Sequence, residues 1–219
     1  MGLLDLDPDQ LLSTTRAVRR RLDLSRDVPD ELIRECVALA FQSPSGSNNP
    51  SMHFVIVRDP DKRRAIGAIY GQCFARYKTF DGVYIGSIDK HDADANTVQQ
   101  RSARSADFLG DHLGEVPVIV IACSAGGRLD GAPAIVGASV GGNVLPAMWS
   151  FMLAARARGL GTCWTTLHLM QEKEVAEVVG IPFDSVQQLC LSPLAYTVGT
   201  DFKPAARPDP DTIIHWDSW

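Results

Sequence analysis

The chain reads as one domain of mixed α and β structure, α/β or α+β, and three observations lead there. Helix-period and strand-like segments alternate along its whole length, with no repeat or low-complexity tract. Its 219 residues, 45% hydrophobic and 21% charged, suit a single large core, and no linker divides them. Gly131 to Ala155 runs 25 residues without a formal charge. That is long enough to cross a bilayer, but Gly131, Gly137, Gly141, Gly142, Asn143 and Pro146 dilute it. A helix buried on most sides, in a core or a subunit interface, accounts for the same pattern, and no second span exists for it to pack against.

A net charge of −5 and a pI near 5.5 provide no general attraction to nucleic acid or to an anionic membrane surface. Basic residues therefore matter locally. Cys36, Cys73, Cys123, Cys163 and Cys190 are odd in number and form no C-x-x-C pair, which points to reduced core thiols in a cytoplasmic protein. Asp5, Asp7 and Asp9 interrupt the first apolar residues, so no signal peptide is expected.

A first helix is expected from Pro8 to about Thr15, with Asp7 as N-cap and Pro8 at its first position. Four arginines follow in Arg16-Ala17-Val18-Arg19-Arg20-Arg21. They read as a solvated helix end complementing the dipole, or as a phosphate clamp of guanidinium forks. A second helix opens at Val28-Pro29-Asp30-Glu31 and keeps helical spacing to Ala40. Pro44-Ser45-Gly46-Ser47-Asn48-Asn49-Pro50 is then a run of turn formers. Its small side chains, its glycine and the amide of Asn48 suit a flat ligand with polar edges.

His53–Val57 is a short apolar run expected to be a buried strand, and residues 61–80 a helix whose Tyr70, Phe74, Tyr77 and Phe80 read as an ordinary packed face. Residues 81–96, with Asp89-Lys90-His91-Asp92-Ala93-Asp94, read as a mobile surface loop or lid; no second histidine stands at a spacing that would complete a metal site. A helix over 97–113 and an interior strand from Pro117 to Cys123 follow. Gly142 to Arg158 is a helix kinked at Pro146 or starting there. Gly159-Leu160-Gly161 ends it, and Thr162 to Thr166 is a strand with backbone groups free to face a ligand. Glu172–Val179 forms a short helix, Gln188–Thr197 a last strand, and a proline-rich tail carries Lys203 and Arg207.

Gly137-Ala138-Ser139-Val140-Gly141 matches G-x-S-x-G, the nucleophile elbow of serine hydrolases. Ala134-Ile135-Val136 would be its strand, Gly126-Gly127 its oxyanion loop, and Asp184 or Asp201 with His215 its partners. The spacing opposes an esterase built on Ser139, because only a dozen residues separate that glycine pair from the serine.

Three separated segments together resemble the nitroreductase family over roughly residues 14–207. Arg16-Ala17-Val18-Arg19-Arg20 is similar to its basic N-terminal phosphate motif, with Ala17 in place of the usual Ser and Thr15 where an Arg often stands. Pro44 to Asn49 with His53-Phe54 is similar to its flavin-edge loop, with Pro50-Ser51-Met52 replacing Gln-Pro-Trp. Asn143 to Thr166 resembles its central helix and the strand beside the flavin.

The resemblance implies an α+β fold, α/β/α in layers, with a mostly antiparallel central sheet and a long buried helix at a homodimer interface. Residues 1–219 would form one FMN-binding domain. It implies an FMN-dependent oxidoreductase that takes electrons from NAD(P)H to a small electron-poor acceptor such as a nitroaromatic or quinone; a flavin store without turnover is the other flavin reading. By position Arg16, Ala17, Arg19 and Arg207 would hold the phosphate or polar flavin edge. Pro44, Ser45, Gly46 and Asn48 would reach it from the partner subunit, and Trp164, Thr165 and Thr166 would lie along its ring. No side chain is expected to act as acid, base or nucleophile, because the cofactor carries the chemistry.

Overall fold

The computed structural model describes residues 2–48 and 51–219; Asn49 and Pro50 of the turn-rich loop lie outside them. Two long strands make the middle of the sheet, β2 (Val118–Ala125) and β4 (Val186–Tyr196). β1 (Met52–Val57) adds antiparallel to β2, and the short β3 (Leu160–Thr162) antiparallel to β4, for the order β1-β2-β4-β3. Side chains alternate between the faces of a strand, so apolar residues at every position of β2 require cover on both sides. Ile119, Ile121 and Cys123 face one core with Leu191 and Ala195, while Val118, Val120 and Ala122 face the other with Cys190 and Leu194.

Helices supply that cover. On one face lie α2 (Asp30–Ala40), through Ile33, Cys36 and Ala40, and α5 (Ala134–Ala157), through Val144, Ala147, Met148 and Phe151. On the other lie α3 (Pro60–Tyr77), α4 (Ala93–His112) and α6 (Glu172–Val179), through Ile66, Tyr70, Phe74, Leu109 and Val175. The result is the three-layered α+β arrangement with a fully antiparallel sheet. α1 (Pro8–Thr14) starts where expected: Asp7 caps Gln10 N–H, and the Gln10 side chain returns the bond to Asp7 N–H. All five cysteines are free and buried, and burial pushes the thiol of Cys36 up to about 11 and those of Cys123 and Cys190 up to about 12.

Several elements differ from the sequence reading. β1 is an edge strand, so Phe54, Val55 and Ile56 are only half-buried. α4 begins at Ala93, because Asp92 accepts from Ala95 N–H as its N-cap. The neighbouring polar run is capping chemistry too, with Asp89 accepting from His91 N–H and Asn96 Nδ2. Nor is residues 81–92 a free lid. The Tyr77 hydroxyl donates to Val83 O and accepts from Ile85 N–H, and Gln99 and Gln100 donate to Ile85 O and Gly86 O.

α5 starts at Ala134, so Ala134-Ile135-Val136 is helix and Ser139 sits on a helical turn. His215, the proposed base, stacks on Trp219 in the tail. A serine hydrolase elbow needs a strand entering the turn, and the fold provides none. The C-terminal half of α5 is core, which explains a helix long and apolar enough to span a membrane, whereas its N-terminal half, from Ala134 to Asn143, is exposed or half-buried. Gly161 lies inside β3 rather than after a helix. A Cβ there would meet Thr197, Leu22 and Val18 at 2.8–3.0 Å, so only glycine lets the N-terminal segment close on the strand.

Candidate functional site

The arginine-rich segment is not a helix end: α1 stops at Thr14, Val18 N–H donates to Thr162 O at 2.8 Å and Ala17 bridges Thr162 in parallel, and the chain then turns through Arg19–Arg21, with Leu22 N–H donating to Arg19 O. Ala17 and Val18 thus form an extra edge beside β3 before the turn. That register carries the half-buried Arg19 to the stretch Cys163–Thr166. Arg16 is exposed and its Nη1 donates to Lys203 O at 2.8 Å, while Ala17 is exposed with nothing polar on its side chain.

Arg19, Trp164, Thr165 and Thr166 line one cleft of about 350 Å³ with Tyr70, Phe74, Tyr77, Ile85, Ala106, Cys163 and Leu167. Tyr70 and Phe74 stack with ring centroids 6.4 Å apart, and Phe74 and Tyr77 follow at 6.0 Å. The Tyr70 hydroxyl lies 3.0 Å from Thr165 Oγ1. Burial pushes that phenol up to about 12 against the opposing Thr165 bond, so it stays neutral. Burial likewise raises the Cys163 thiol. Aromatic walls, neighbouring hydroxyls and one guanidinium at the rim suit a planar ligand with polar edges, and the volume lies in the range of ligand pockets.

The expected loop lies elsewhere in the protomer. None of Pro44, Ser45, Gly46 and Asn48 lines this cleft. Gly46 N–H donates to Asn143 Oδ1 at 2.6 Å, which seats the loop on the exposed half of α5. Ser47 and Asn48 have φ of 54° and 50°, two consecutive non-glycine residues in the left-handed region. Such strain is concentrated at functional sites. Arg207 is exposed on the tail. The fold of the chain therefore unites Arg19 and Trp164–Thr166, and leaves the loop residues and Arg207 out of this cleft.

Two further cavities flank these elements. Trp164 and Thr166 also border a cleft of about 540 Å³ with Arg128, Glu172 and Leu145. Here Arg128 forms a two-pronged ion pair with Glu172 at 2.9 and 2.8 Å and stacks on Phe183. The Glu172 bond pushes the guanidinium pKa up, and the same carboxylate accepts from Gln187 and from Gln188 N–H. The larger cavity, about 600 Å³, lies between α2 and β1 and is lined by Ile33, Val37, Phe41, Phe54 and Ile56, with none of the expected ligand residues. The smaller aromatic cleft is the better candidate, because charge, hydroxyls and aromatic faces meet there.

Sequence reasoning missed Tyr70, Phe74 and Tyr77 as site residues, although their i, i+4, i+7 spacing was visible. The same face packs the core and walls the cleft, and periodicity cannot separate those uses. Asn143, which holds the loop, carried no separate signal beyond its place in an uncharged helix.

The nitroreductase family model matches residues 12–200. None of the curated proteins searched matches the chain. Among solved structures, the FMN and NADPH-dependent nitroreductase NfnB from sphigopyxis sp. strain HMH aligns with a TM-score of 0.69 at 19% identity, covering 98% of this chain and 100% of that one. A BluB-like flavoprotein from Clostridium difficile 630 aligns at 0.68 and 17%, covering 96% and 99%. An oxidized iodotyrosine deiodinase bound to FMN and 3-iodo-L-tyrosine aligns at 0.67 and 19%, covering 95% and 98%. At such identities the structures speak for the fold, while the sequence model spans most of the chain: the chain belongs to the nitroreductase family.

Proposed function

We propose that the chain is an FMN-dependent oxidoreductase that takes electrons from NAD(P)H to an electron-poor acceptor such as a nitroaromatic or quinone, acting as a cytoplasmic homodimer. The observation that carries this reading is the convergence of Arg19, Trp164, Thr165 and Thr166 on a cleft walled by Tyr70, Phe74 and Tyr77. A flavin has the flat aromatic body and polar edge this cleft fits, and two of the structural relatives are described as binding or depending on FMN. When bound, FMN supplies the hydride and electron transfer between nicotinamide and acceptor.

The chain's own residues bind and orient. Tyr70, Phe74, Tyr77 and Trp164 present apolar faces that keep water from a planar ligand, and Thr165 and Thr166 offer hydroxyls along it. Arg16, Arg19 and Arg207, with the backbone of Ala17, hold the phosphate or the polar edge. Pro44, Ser45, Gly46 and Asn48 come from the second subunit. The exposed apolar Ile135 and Val136 on the half of α5 that seats the loop favour this assignment.

Purified protein is expected to be yellow and to release FMN on denaturation; NAD(P)H bleaches it, and a quinone or nitro compound restores the colour. Colourless protein that gains no flavin absorbance on titration with FMN would falsify the reading. Protein that holds FMN yet responds to neither reductant nor acceptor is a flavin store.

A further inference from the structure

Three arginines, two from the segment after α1 and one from the end of α5, grip one short segment. After β4 the chain turns at Gly199, whose φ is +73° and where a Cβ would meet Arg21 Nη2 at 2.6 Å. Arg21 Nε donates to Val198 O at 2.8 Å, and its Nη2 pairs with Asp201 at 2.6 Å. Arg156 Nη2 donates to Thr200 O at 3.0 Å, and Arg16 Nη1 to Lys203 O at 2.8 Å. The Phe202 ring lies against two guanidinium groups, Arg21 at 4.2 Å and Arg156 at 4.9 Å. Beyond Lys203 the described hydrogen bonds of the tail are local to it.

Arg156 is the unusual member. It projects from the last turn of α5, is 4% exposed, and among the described residues no carboxylate pairs with it. Its Nε and Nη1 are buried without a partner. Its other contact is Thr14 Oγ1 at 3.3 Å, on the last residue of α1, so the charge sits near the carbonyl ends of two helices, where the dipoles favour a cation. A chain that only needed to fill this space would place an apolar side chain there, since burying an unpaired guanidinium is costly. Two of its contacts, Thr200 O and the Phe202 ring, are to the root of the tail.

Resting on the FMN reading, we propose that Arg156, with Arg21, is a positioning residue: it fixes the tail at residues 198–203 so that Arg207 reaches the anionic end of the cofactor beside Arg16 and Arg19. Three residues separate Lys203, held by Arg16, from Arg207, and the four steps span at most about 14 Å. Pro204 stiffens that span, and Pro208 restricts the backbone of Arg207. Neither Arg156 nor Arg21 touches the ligand; their effect passes through the tail.

The test uses the full chain with Arg156→Met, Arg156→Lys and Arg21→Gln, and two readouts. In flavin-free protein, hydrogen exchange of the amides of residues 200–203 rises tenfold or more in Arg156→Met while amides of β2 and β4 keep their rates. FMN affinity falls about tenfold and riboflavin affinity stays within twofold, with Arg156→Lys between the variant and the parent. Unchanged tail exchange overturns the proposal, as do equal losses for FMN and riboflavin. If Arg156→Met does not fold, the half-exposed Arg21→Gln must show the same paired pattern or the proposal falls. Failure of the parent protein to bind either flavin is a different result: it removes the FMN reading, whereas tail exchange alone decides whether Arg156 fixes the segment.

Discussion

At the scale of single residues, the proposed cofactor contacts divide by what each arginine faces. Arg19 lines the aromatic cleft, whereas Arg207 stands on the exposed tail. Arg207→Ala removes a charge-assisted bond worth roughly 1.5–3 kcal/mol, so FMN affinity is expected to fall about ten- to a hundredfold with riboflavin nearly unaffected. Arg19→Met is expected to weaken both ligands, because its guanidinium borders the ring cleft. Titrating both ligands against both variants checks the division, and an Arg207 variant that weakens riboflavin equally contradicts it.

His168 offers a second test at this scale. It is fully buried with neither ring nitrogen bonded, and burial lowers its pKa from 6.5 to about 3. Below pH 6.5 the unfolded chain takes up a proton that the folded chain refuses, so this contribution is fully present above pH 6.5 and is lost as pH falls toward 3. The slope approaches about 1.4 kcal/mol per pH unit inside that window. Denaturant midpoints at pH 7.5, 5.5 and 4.5 should fall more steeply for the parent than for His168→Met, and parallel curves would show that the histidine is not buried neutral.

At the scale of elements, packing decides what periodicity leaves open. α6 and the caps of α1 follow the sequence reading because Asp7, Gln10 and the short apolar repeat act locally. The start of α5 does not: glycines at 137, 141 and 142 and Pro146 weaken the helix signal, yet the helix runs from Ala134. Close approach shows the same dependence on context at Gly67 of α3, where a Cβ would meet the Gly114 backbone nitrogen at 2.5 Å. An exposed helical glycine gains stability on becoming alanine, about 1 kcal/mol, but here the obstacle is backbone that cannot rotate away. Gly67→Ala is expected to destabilise by roughly 1–3 kcal/mol, measured by urea unfolding, and a rise in stability would show that α3 and the Leu113–Glu115 turn do not touch so closely.

At the scale of the whole molecule, the single chain keeps the two groups of proposed site residues apart. The cleft belongs to its α3 side, while the turn-rich loop rides on the exposed half of α5 beside Ile135, which is 75% exposed. If a second copy covers that half-helix, Ile135→Glu should convert a dimer to monomers in sedimentation velocity and lower FMN affinity in the same step, since Pro44, Ser45, Gly46 and Asn48 would be lost together. A monomeric variant that binds FMN undiminished would place the loop outside the site.

By itself the sequence determined the class of fold, the family, and most helix and strand positions, and it supplied the residues proposed for a flavin site: turn formers at 44–48, arginines at 16 and 19, and Trp164-Thr165-Thr166. Those signals are local, written in spacing, capping and composition. Only the tertiary structure decided that Ala17 and Val18 run beside β3, that Tyr70, Phe74 and Tyr77 wall the cleft, that Ser139 lies on a helix, and that Arg156 bonds to Thr200. Each of these depends on which surfaces meet across the sheet. Contacts between residues as distant as Arg156 and Thr200, or Arg16 and Lys203, leave no periodicity in the chain, because they are fixed by the packing of elements and not by neighbours in sequence.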